Sequence, residues 1–233
     1  RLPLPRTNNT AFFLLASESF GGQLPKITFT PHWLPQAQFA GYYVAEKMGF
    51  YDEEGIDVNI VHPPASTNAI EQLKSGQSDI ISLFLITAIA AKQQGIDRVN
   101  IAQISQNSAL MFVAKKDKHI NKLSDLNNKK VGVWESGFGE VGEEIARSNN
   151  LSIEWVPILS SVNMFLIDGI DAMTVMLFNE YDQIINSGLN EDELNILSIA
   201  DYGYNIREDG LYCQTKILMS KQDELQKFVK ATL

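Results

Sequence analysis

Trp33 stands where an aromatic side chain could bind a planar ring. It lies in the segment Phe29-Thr-Pro-His-Trp-Leu-Pro35, directly after an apolar run with the pattern of a β-strand. The prolines restrict the backbone of this turn, so the indole would be held as a fixed flat platform. Gln36 and Gln38 beside it are neutral donors and acceptors suited to a small polar ligand. The alternative is that Trp33 is a core side chain or a plug between two lobes.

A second polar group follows an apolar run in Met176-Leu-Phe-Asn-Glu-Tyr181. The Glu180 carboxylate can accept from an exocyclic amine and pair with a ring nitrogen, with Asn179 and Tyr181 as neighbours. Alternatively, Asn179 caps the following helix and Glu180 lies in its first turn, and the two roles are compatible. Weaker candidates, each predicted at the same edge of a sheet, are Ser82, Thr87, Asn107 and Asn163.

A third candidate is the strand, loop and helix start in Val131-Gly-Val-Trp-Glu-Ser-Gly-Phe-Gly139. Such a junction lies at the carboxyl end of a parallel strand, where free backbone N–H groups face a crevice. The predicted ligand contacts here are Trp134, Glu135, Ser136, Gly137 and Phe138. Glycines at positions 137, 139 and 142 have the spacing of a dinucleotide-binding loop but do not follow the strand directly. Glu154 would have to be the acidic residue that binds the ribose of such a cofactor. The pattern favours a polar ligand over a nicotinamide cofactor.

Signatures of catalysis are absent from the sequence. It has no Gly-x-Ser-x-Gly elbow, no His-Glu-x-x-His and no Walker lysine loop. Its three histidines, His32, His62 and His119, are predicted to be structural or solvated, and Cys213 is predicted to be a small buried side chain. The sequence therefore predicts no enzyme, no metal site and no cofactor.

Composition and charge restrict the partners. With 45% hydrophobic residues, 20% charged residues and a net charge of −9, the chain is typical of a globular protein that does not bind nucleic acid. No run is long and apolar enough to cross a bilayer. The run from Thr10 to Ala16 behind Arg1 and Arg6 resembles the tail of a secretory signal or membrane anchor, or else belongs to a peripheral segment.

The elements that must position these residues alternate between strand and helix patterns, which predicts a wound α/β architecture. A first set has strands at 27–30, 56–61, 79–83 and 99–104, with helices at 39–48, 66–74 (capped by Ser66) and 87–94, and a turn at 50–55. A second set has strands at 109–114, 130–134, 153–157 and 172–177, with helices at 139–148, 163–167 and 180–186. Segments 194–199 and 210–218 return the chain, and the residues from Lys221 onward are predicted to be helical.

These sets predict an N-terminal segment at 1–25, a first lobe at 26–108, a second lobe at 109–204 and a return to the first lobe at 205–233. The last helix stops without a cap, so we expect the first lobe to be truncated in a longer protein.

Several of these stretches resemble the thiamine-pyrimidine-precursor binding proteins and the related yeast-type pyrimidine synthases. The matching stretches are Trp33–Pro35, Ala40–Tyr51, Glu54–Val58, Gly76–Asp79 and Lys130–Trp134. The resemblance implies the type II periplasmic-binding-protein fold: an α/β, two-lobed protein, each lobe a mixed sheet flanked by helices, with a hinge of crossing strands. It also implies that Trp33 stacks on the ligand and that Glu180 is the acidic contact. Gln36 and Gln38 depart from the Asn and His that such binders often carry.

The synthase branch of this family implies a lysine-bound pyridoxal phosphate, an active-site histidine and a cysteine cluster. With one cysteine and no histidine expected near the cleft strands, the sequence favours the binding branch. The stretches Phe178–Tyr181 and Glu208–Cys213 also look like those of extracytoplasmic input domains of membrane sensor kinases.

We therefore predict a periplasmic or extracellular solute-binding protein, free or membrane-anchored, that captures an aminopyrimidine-like thiamine precursor for ABC-type import. Its partners would be this ligand and a membrane permease, or the transmembrane part of a sensor kinase. A pyrimidine synthase-like enzyme is the further alternative.

Overall fold

The computed structural model describes residues 23–64, 67–134, 139–159 and 161–233. The predicted N-terminal segment lies almost wholly outside these ranges, as do Ser66 and the loop residues Glu135, Ser136, Gly137 and Phe138.

Lobe 1 is built on a mixed five-stranded sheet in the order β2-β1-β3-β10-β4. Its strands are β1 (Lys26–Thr30), β2 (Asp57–Ile60), β3 (Ile80–Phe84), β4 (Val99–Gln103) and β10 (Asp209–Cys213). β1 runs parallel to β2 and β3, whereas β10 is antiparallel to β3 and β4. The helices of this lobe are α1 (Ala40–Met48), α2 (Phe50–Glu53), α3 (Ala69–Ser75), α4 (Leu85–Gln93), α8 (Thr215–Ser220) and α9 (Gln222–Thr232).

Lobe 2 repeats this arrangement with the sheet order β7-β6-β8-β5-β9. Its strands are β5 (Leu110–Lys115), β6 (Lys130–Trp134), β7 (Glu154–Ile158), β8 (Ala172–Met176) and β9 (Leu194–Ser198). β6 is parallel to β7 and β8, and β5 is antiparallel to β8 and β9. The helices are α5 (Gly139–Ser148), α6 (Asn163–Leu166) and α7 (Glu180–Asn186).

Each lobe has its own apolar core. In lobe 1 the ring of Phe228 from α9 stacks on Tyr51 at 5.3 Å and packs at the same centroid distance against Phe29 of β1. In lobe 2 buried side chains such as Phe112 and Ile145 fill one face of the sheet, and others such as Phe165 fill the opposite face. The predicted two-lobed α/β class, with helices on both faces of each mixed sheet, is confirmed.

The chain crosses between the lobes at residues 104–109 and 199–208. Glu208 of the second crossing accepts hydrogen bonds at Oε1 from the Ser108 hydroxyl (2.7 Å) and from the backbone N–H groups of Ala109 (2.8 Å) and Leu110 (3.2 Å). Asn205 bonds to Ser108 N–H and Asn107. The hinge is therefore held by side chains of one crossing that bond to the other.

Two local predictions were wrong. The segment predicted as a turn from Phe50 begins with helix α2, because Gly49 takes a left-handed φ of 79° that ends α1 and Tyr51 is buried in the core. The described start of α3 follows Asn68, whose side chain accepts from Glu71 N–H at 3.0 Å, so a residue other than Ser66 caps this helix. None of the helices in the described ranges is both long and apolar enough to cross a membrane.

Candidate functional site

A cavity of about 600 Å³ lies between the two lobes. Its walls come from the residues that follow β1 and β3 in lobe 1 and β6 and β8 in lobe 2. β1 runs parallel to β3, and β6 runs parallel to β8, so the carboxyl ends of each pair lie at one crevice, where ligands bind in open α/β sheets. The start of α3 closes one side.

The structure brings seven of the predicted site residues to this cavity. They are Trp33, Gln36, Gln38, Thr87, Trp134, Asn179 and Glu180. Trp33 is 41% exposed, which excludes the alternative that it is a core side chain. Its backbone carbonyl accepts from His62 Nδ1 at 2.6 Å, and the Tyr43 hydroxyl bonds to His62 Nε2, so the turn is anchored to the end of β2.

Four predicted residues lie outside the cavity. Ser82 is buried behind the wall, and Tyr181, 8% exposed, packs in the lobe 2 core because the first turn of α7 aims it inward. Asn107 bonds to Asn205 in the hinge, and Asn163 begins α6, where its N–H donates to Ser161. The predicted contacts from Glu135 to Phe138 lie outside the described residues.

Glu180 is held by the end of its own strand. It is only 4% exposed, and its Oε2 accepts from the backbone N–H of Met176 at 3.1 Å while Asn179 Nδ2 donates to Oε1. Burial raises the pKa of this carboxyl, and these hydrogen bonds oppose the rise. Asn179 Oδ1 accepts from Gln183 Nε2 rather than from a backbone N–H, so the predicted side-chain cap of α7 is not formed.

Sequence reasoning missed several lining residues. His32 was predicted to be structural and no histidine was expected near the cleft, yet His32 lies in the cavity wall, edge-on to Phe84 at 4.4 Å. Burial lowers the pKa of His32 to about 3, so the imidazole is neutral at physiological pH. Asn68 and Glu140 also line the cavity, each at the start of a helix. The sequence predicts the start of α5 correctly, but it predicts the start of α3 at Ser66 rather than after Asn68.

The electrostatic character of the wall is acidic. Glu140 and Glu180 are its carboxylates, and no Lys or Arg lines the cavity within the part of the chain that the structure describes. Apolar side chains make up much of the remaining surface: Leu83, Phe84, Ile86, Ile89 and Met176. Within the same ranges, no group of three or more His, Cys, Asp or Glu side chains is arranged to hold a metal ion.

Two lobes joined by a double crossing, with a cavity at the carboxyl ends of their strands, define the periplasmic-binding-protein fold. Among solved structures, the periplasmic aliphatic sulphonate binding protein SsuA from Escherichia coli matches with a TM-score of 0.74 at 16% identity, over 90% of this chain and 73% of that one. At this identity the likeness shows the fold. The chain belongs to the NMT1/THI5 like family, whose model matches residues 36–233.

Two relatives show what kinds of protein share this sequence pattern. The riboflavin-binding protein RibY of Chloroflexus aurantiacus is 23% identical over 246 residues, which cover 99% of this chain and 67% of the relative. The 4-amino-5-hydroxymethyl-2-methylpyrimidine phosphate synthase THI11 of Saccharomyces cerevisiae is 24% identical over 222 residues, 88% of this chain and 64% of the relative. The chain thus spans about two thirds of the length of these relatives.

Proposed function

We propose that this chain is an extracytoplasmic solute-binding protein that captures a planar, uncharged or cationic heterocycle between its lobes for ABC-type import. The observation that carries the proposal is the cavity of about 600 Å³ with Trp33 on one lobe, Trp134 on the other and two carboxylates in its wall. Closure of the lobes about the crossings at 104–109 and 199–208 would bring both indoles to one ligand.

The charge of the wall selects against anions. A sulfonate, nitrate or phosphate carries a full negative charge that Arg or Lys would balance, and the described lining residues include neither. The carboxylates Glu140 and Glu180 would repel an anion in a partly desolvated cavity. The ligand is therefore expected to differ from the aliphatic sulphonate named for the E. coli neighbour, although the fold is shared.

A thiamine pyrimidine precursor is the ligand that the polar groups favour. Its exocyclic amine would donate to Glu180, whose carboxylate is already fixed by Met176 N–H and Asn179. Its flat ring would stack on Trp33, which is held by the hydrogen bond from His62. The family membership and the pyrimidine named for the yeast relative support this choice.

A flavin is the second candidate, and the size of the cavity favours it. A volume of about 600 Å³ exceeds what one six-membered ring fills and lies in the usual range for larger cofactors and drug-sized ligands. The apolar surface of Phe84, Ile86 and Ile89 would suit a fused ring system. The relative named for riboflavin binding matches almost the whole chain.

A chemical step on pyridoxal phosphate does not fit the residues present. That cofactor needs a lysine for its imine and cationic or N–H donors for its phosphate. Within the described ranges no Lys or Arg lines the cavity, and Cys213 is buried in the lobe 1 core. We therefore propose binding without catalysis.

Calorimetry on the purified chain tests the proposal. The panel is 4-amino-5-hydroxymethyl-2-methylpyrimidine, thiamine, riboflavin and, as the anionic control, ethanesulfonate. We expect one heterocycle to bind and the sulfonate not to. Trp33→Ala should weaken binding about tenfold or more, since stacking on an aromatic side chain contributes roughly 1–3 kcal/mol.

Glu180→Gln should weaken binding of the amine-bearing ligand, whereas Glu154→Gln, at an exposed carboxylate in lobe 2, should leave affinity unchanged. Binding of the sulfonate alone, or equal affinity in the Trp33→Ala and wild-type chains, would contradict the proposal.

A further inference from the structure

Asp209 lies behind the cavity wall and contacts two side chains that form it. It is the first residue of β10, pairs with Phe84 of β3 and is only 6% exposed. Its Oδ2 accepts from Gln38 Nε2 at 3.5 Å, and its Oδ1 lies 3.7 Å from His32 Nδ1. Oδ1 has no hydrogen-bond partner among the described residues. A buried carboxylate oxygen without a hydrogen-bond partner lowers the free energy of unfolding, so its position calls for an explanation.

The contact with Gln38 decides which atoms donate and which accept in the hydrogen bonds that link Asp209, Gln38 and Gln36. A carboxamide can turn by 180°, but Asp209 meets Gln38 with an oxygen that accepts, and above its raised pKa of about 7 the ionised carboxylate offers only acceptors. With its Nε2 toward Asp209, Gln38 turns its carbonyl oxygen to Gln36, whose Nε2 donates to it. Among the described residues, the Gln36 carbonyl oxygen then remains as an acceptor for the cavity that Gln36 lines.

The same arrangement fixes the proton of His32. Gln38 Nε2 carries only donor hydrogens and lies 3.4 Å from His32 Nε2, so that nitrogen must be unprotonated. The proton is therefore on Nδ1, which faces the Ser82 hydroxyl at 2.8 Å with Asp209 on the same side. The backbone N–H of His32 also donates to Ser82 Oγ at 3.0 Å, which holds the ring in place.

We infer that Asp209 is a positioning residue of the binding site, which orients Gln38 and His32 from behind the wall so that lobe 1 presents the Gln36 carbonyl oxygen to the ligand as an acceptor. This inference rests on the proposed function and adds a ligand class to it: a heterocycle that carries N–H donors, as an exocyclic amine or a ring N–H does. Lobe 2 presents the Glu180 carboxylate from the opposite side, so both lobes would accept from the same kind of ligand.

The positioning role is tested first without ligand, by ¹⁵N NMR of the full chain at pH 8, above the raised pKa of about 7 of the Asp209 carboxyl. We expect His32 to hold its proton on Nδ1 and the Gln38 side-chain amide to exchange slowly with solvent. In Asp209→Leu the exchange should become about tenfold faster, the ratio that the loss of one hydrogen bond gives, and His32 should show a mixture of tautomers. Asp209→Asn keeps an acceptor oxygen and should restore the slow exchange.

Glu208→Gln is the matched control, because it removes the neighbouring buried charge without touching Gln38 or His32. If Asp209→Leu does not fold, Gln38→Met interrupts the same series of hydrogen bonds at a half-buried position. His32 should again lose its single tautomer. Unchanged His32 and Gln38 signals in Asp209→Leu, or equal changes in Glu208→Gln, would overturn the inference.

A second measurement tests the ligand class. Calorimetry compares 4-amino-5-hydroxymethyl-2-methylpyrimidine with its 4-methoxy analogue, which replaces the amine donor by an ether oxygen and carries no N–H. The wild-type chain should prefer the amine, and Asp209→Leu should bring the ratio of the two affinities close to one. A ratio that Asp209→Leu leaves unchanged would refute the assignment. If the wild-type chain binds neither pyrimidine, the proposed pyrimidine function fails, and the NMR result still decides the role of Asp209.

Discussion

The carboxylate of Glu208 is expected to hold the hinge together, and its removal should destabilise the protein. Glu208→Ala takes away the Oε1 acceptor of three donors: the Ser108 hydroxyl and the N–H groups of Ala109 and Leu110. Leu110 N–H also lies 3.2 Å from Ser108 Oγ and keeps that second acceptor in the variant. Ala109 N–H loses its hydrogen bond to Glu208 Oε1. Each buried donor left unpaired costs about 1–3 kcal/mol.

The expected loss in the free energy of unfolding is about 2–4 kcal/mol, because one donor is left without its partner and two others are weakened. For a chain of this length, that corresponds to a drop in Tm of roughly 5–15 °C. Glu208→Gln keeps a carbonyl oxygen for the same donors and should remain within about 1 kcal/mol of the wild type.

Thermal unfolding followed by circular dichroism at pH 7 measures both variants. Hydrogen exchange at the amides of Ala109 and Leu110 then locates the effect, because exchange there should rise in Glu208→Ala before any change in the lobe cores. Melting curves of Glu208→Ala and Glu208→Gln that coincide with the wild type would refute the assignment of Glu208 as the group that fastens the two crossings.

Three further outcomes follow from buried positions. Gly132→Ala should lower the free energy of unfolding by about 1–3 kcal/mol, because its Cβ would lie 2.7 Å from Ile170 Cδ1. Gly41→Ala, with open space around it in helix α1, should be neutral or stabilising. Equal melting temperatures of the two variants would contradict this. Burial raises the pKa of the Cys213 thiol to about 11, so Ellman's reagent should leave it unmodified at pH 8 until guanidinium is added, and rapid labelling of the native chain would be inconsistent with the buried thiol. Burial and then Glu208 raise the pKa of Asp209 from 3.8 to about 7, so the folded chain retains a proton that the unfolded chain loses between about pH 4 and 7. The stability that the protonated carboxyl confers is lost as pH rises through that window. In urea unfolding, the free energy of unfolding of Asp209→Asn should rise relative to the wild type there by up to roughly 4 kcal/mol. A constant difference from pH 4 to pH 8 would exclude the titration.

Much of the fold could be predicted because each lobe repeats a pattern of local hydrophobic periodicity. Helix α7 has the bounds that the sequence predicts, and most strands lie within a residue or two of their predicted positions. The exceptions depend on tertiary contacts. Helix α2 forms from a segment with turn composition because Tyr51 stacks on Phe228, a residue far away in the chain.

The lining of the cavity could be predicted where a polar or aromatic residue lies at the end of a strand or within a few residues after it. Trp33, Trp134, Asn179 and Glu180 are of this kind, because the carboxyl ends of parallel strands share one edge of a sheet. Tyr181 and Asn163 meet the same rule in sequence, but the direction of a side chain at a helix start depends on how the helix packs.

The sequence by itself determined two wound sheets, the crossings between them and an aromatic and a carboxylate at facing strand ends. These features arise from the periodicity of apolar residues and from breaks that lie close together along the chain. Only the tertiary structure decided that His32 belongs to the wall and that Asp209, far away in the sequence, lies behind it, with one oxygen that has no hydrogen-bond partner among the described residues. The physical reason is that β10 returns to pair with β3, a long-range backbone contact that no local pattern encodes. Through Asp209, that returning strand decides which hydrogen-bonding group lobe 1 offers to the cavity beside Trp33.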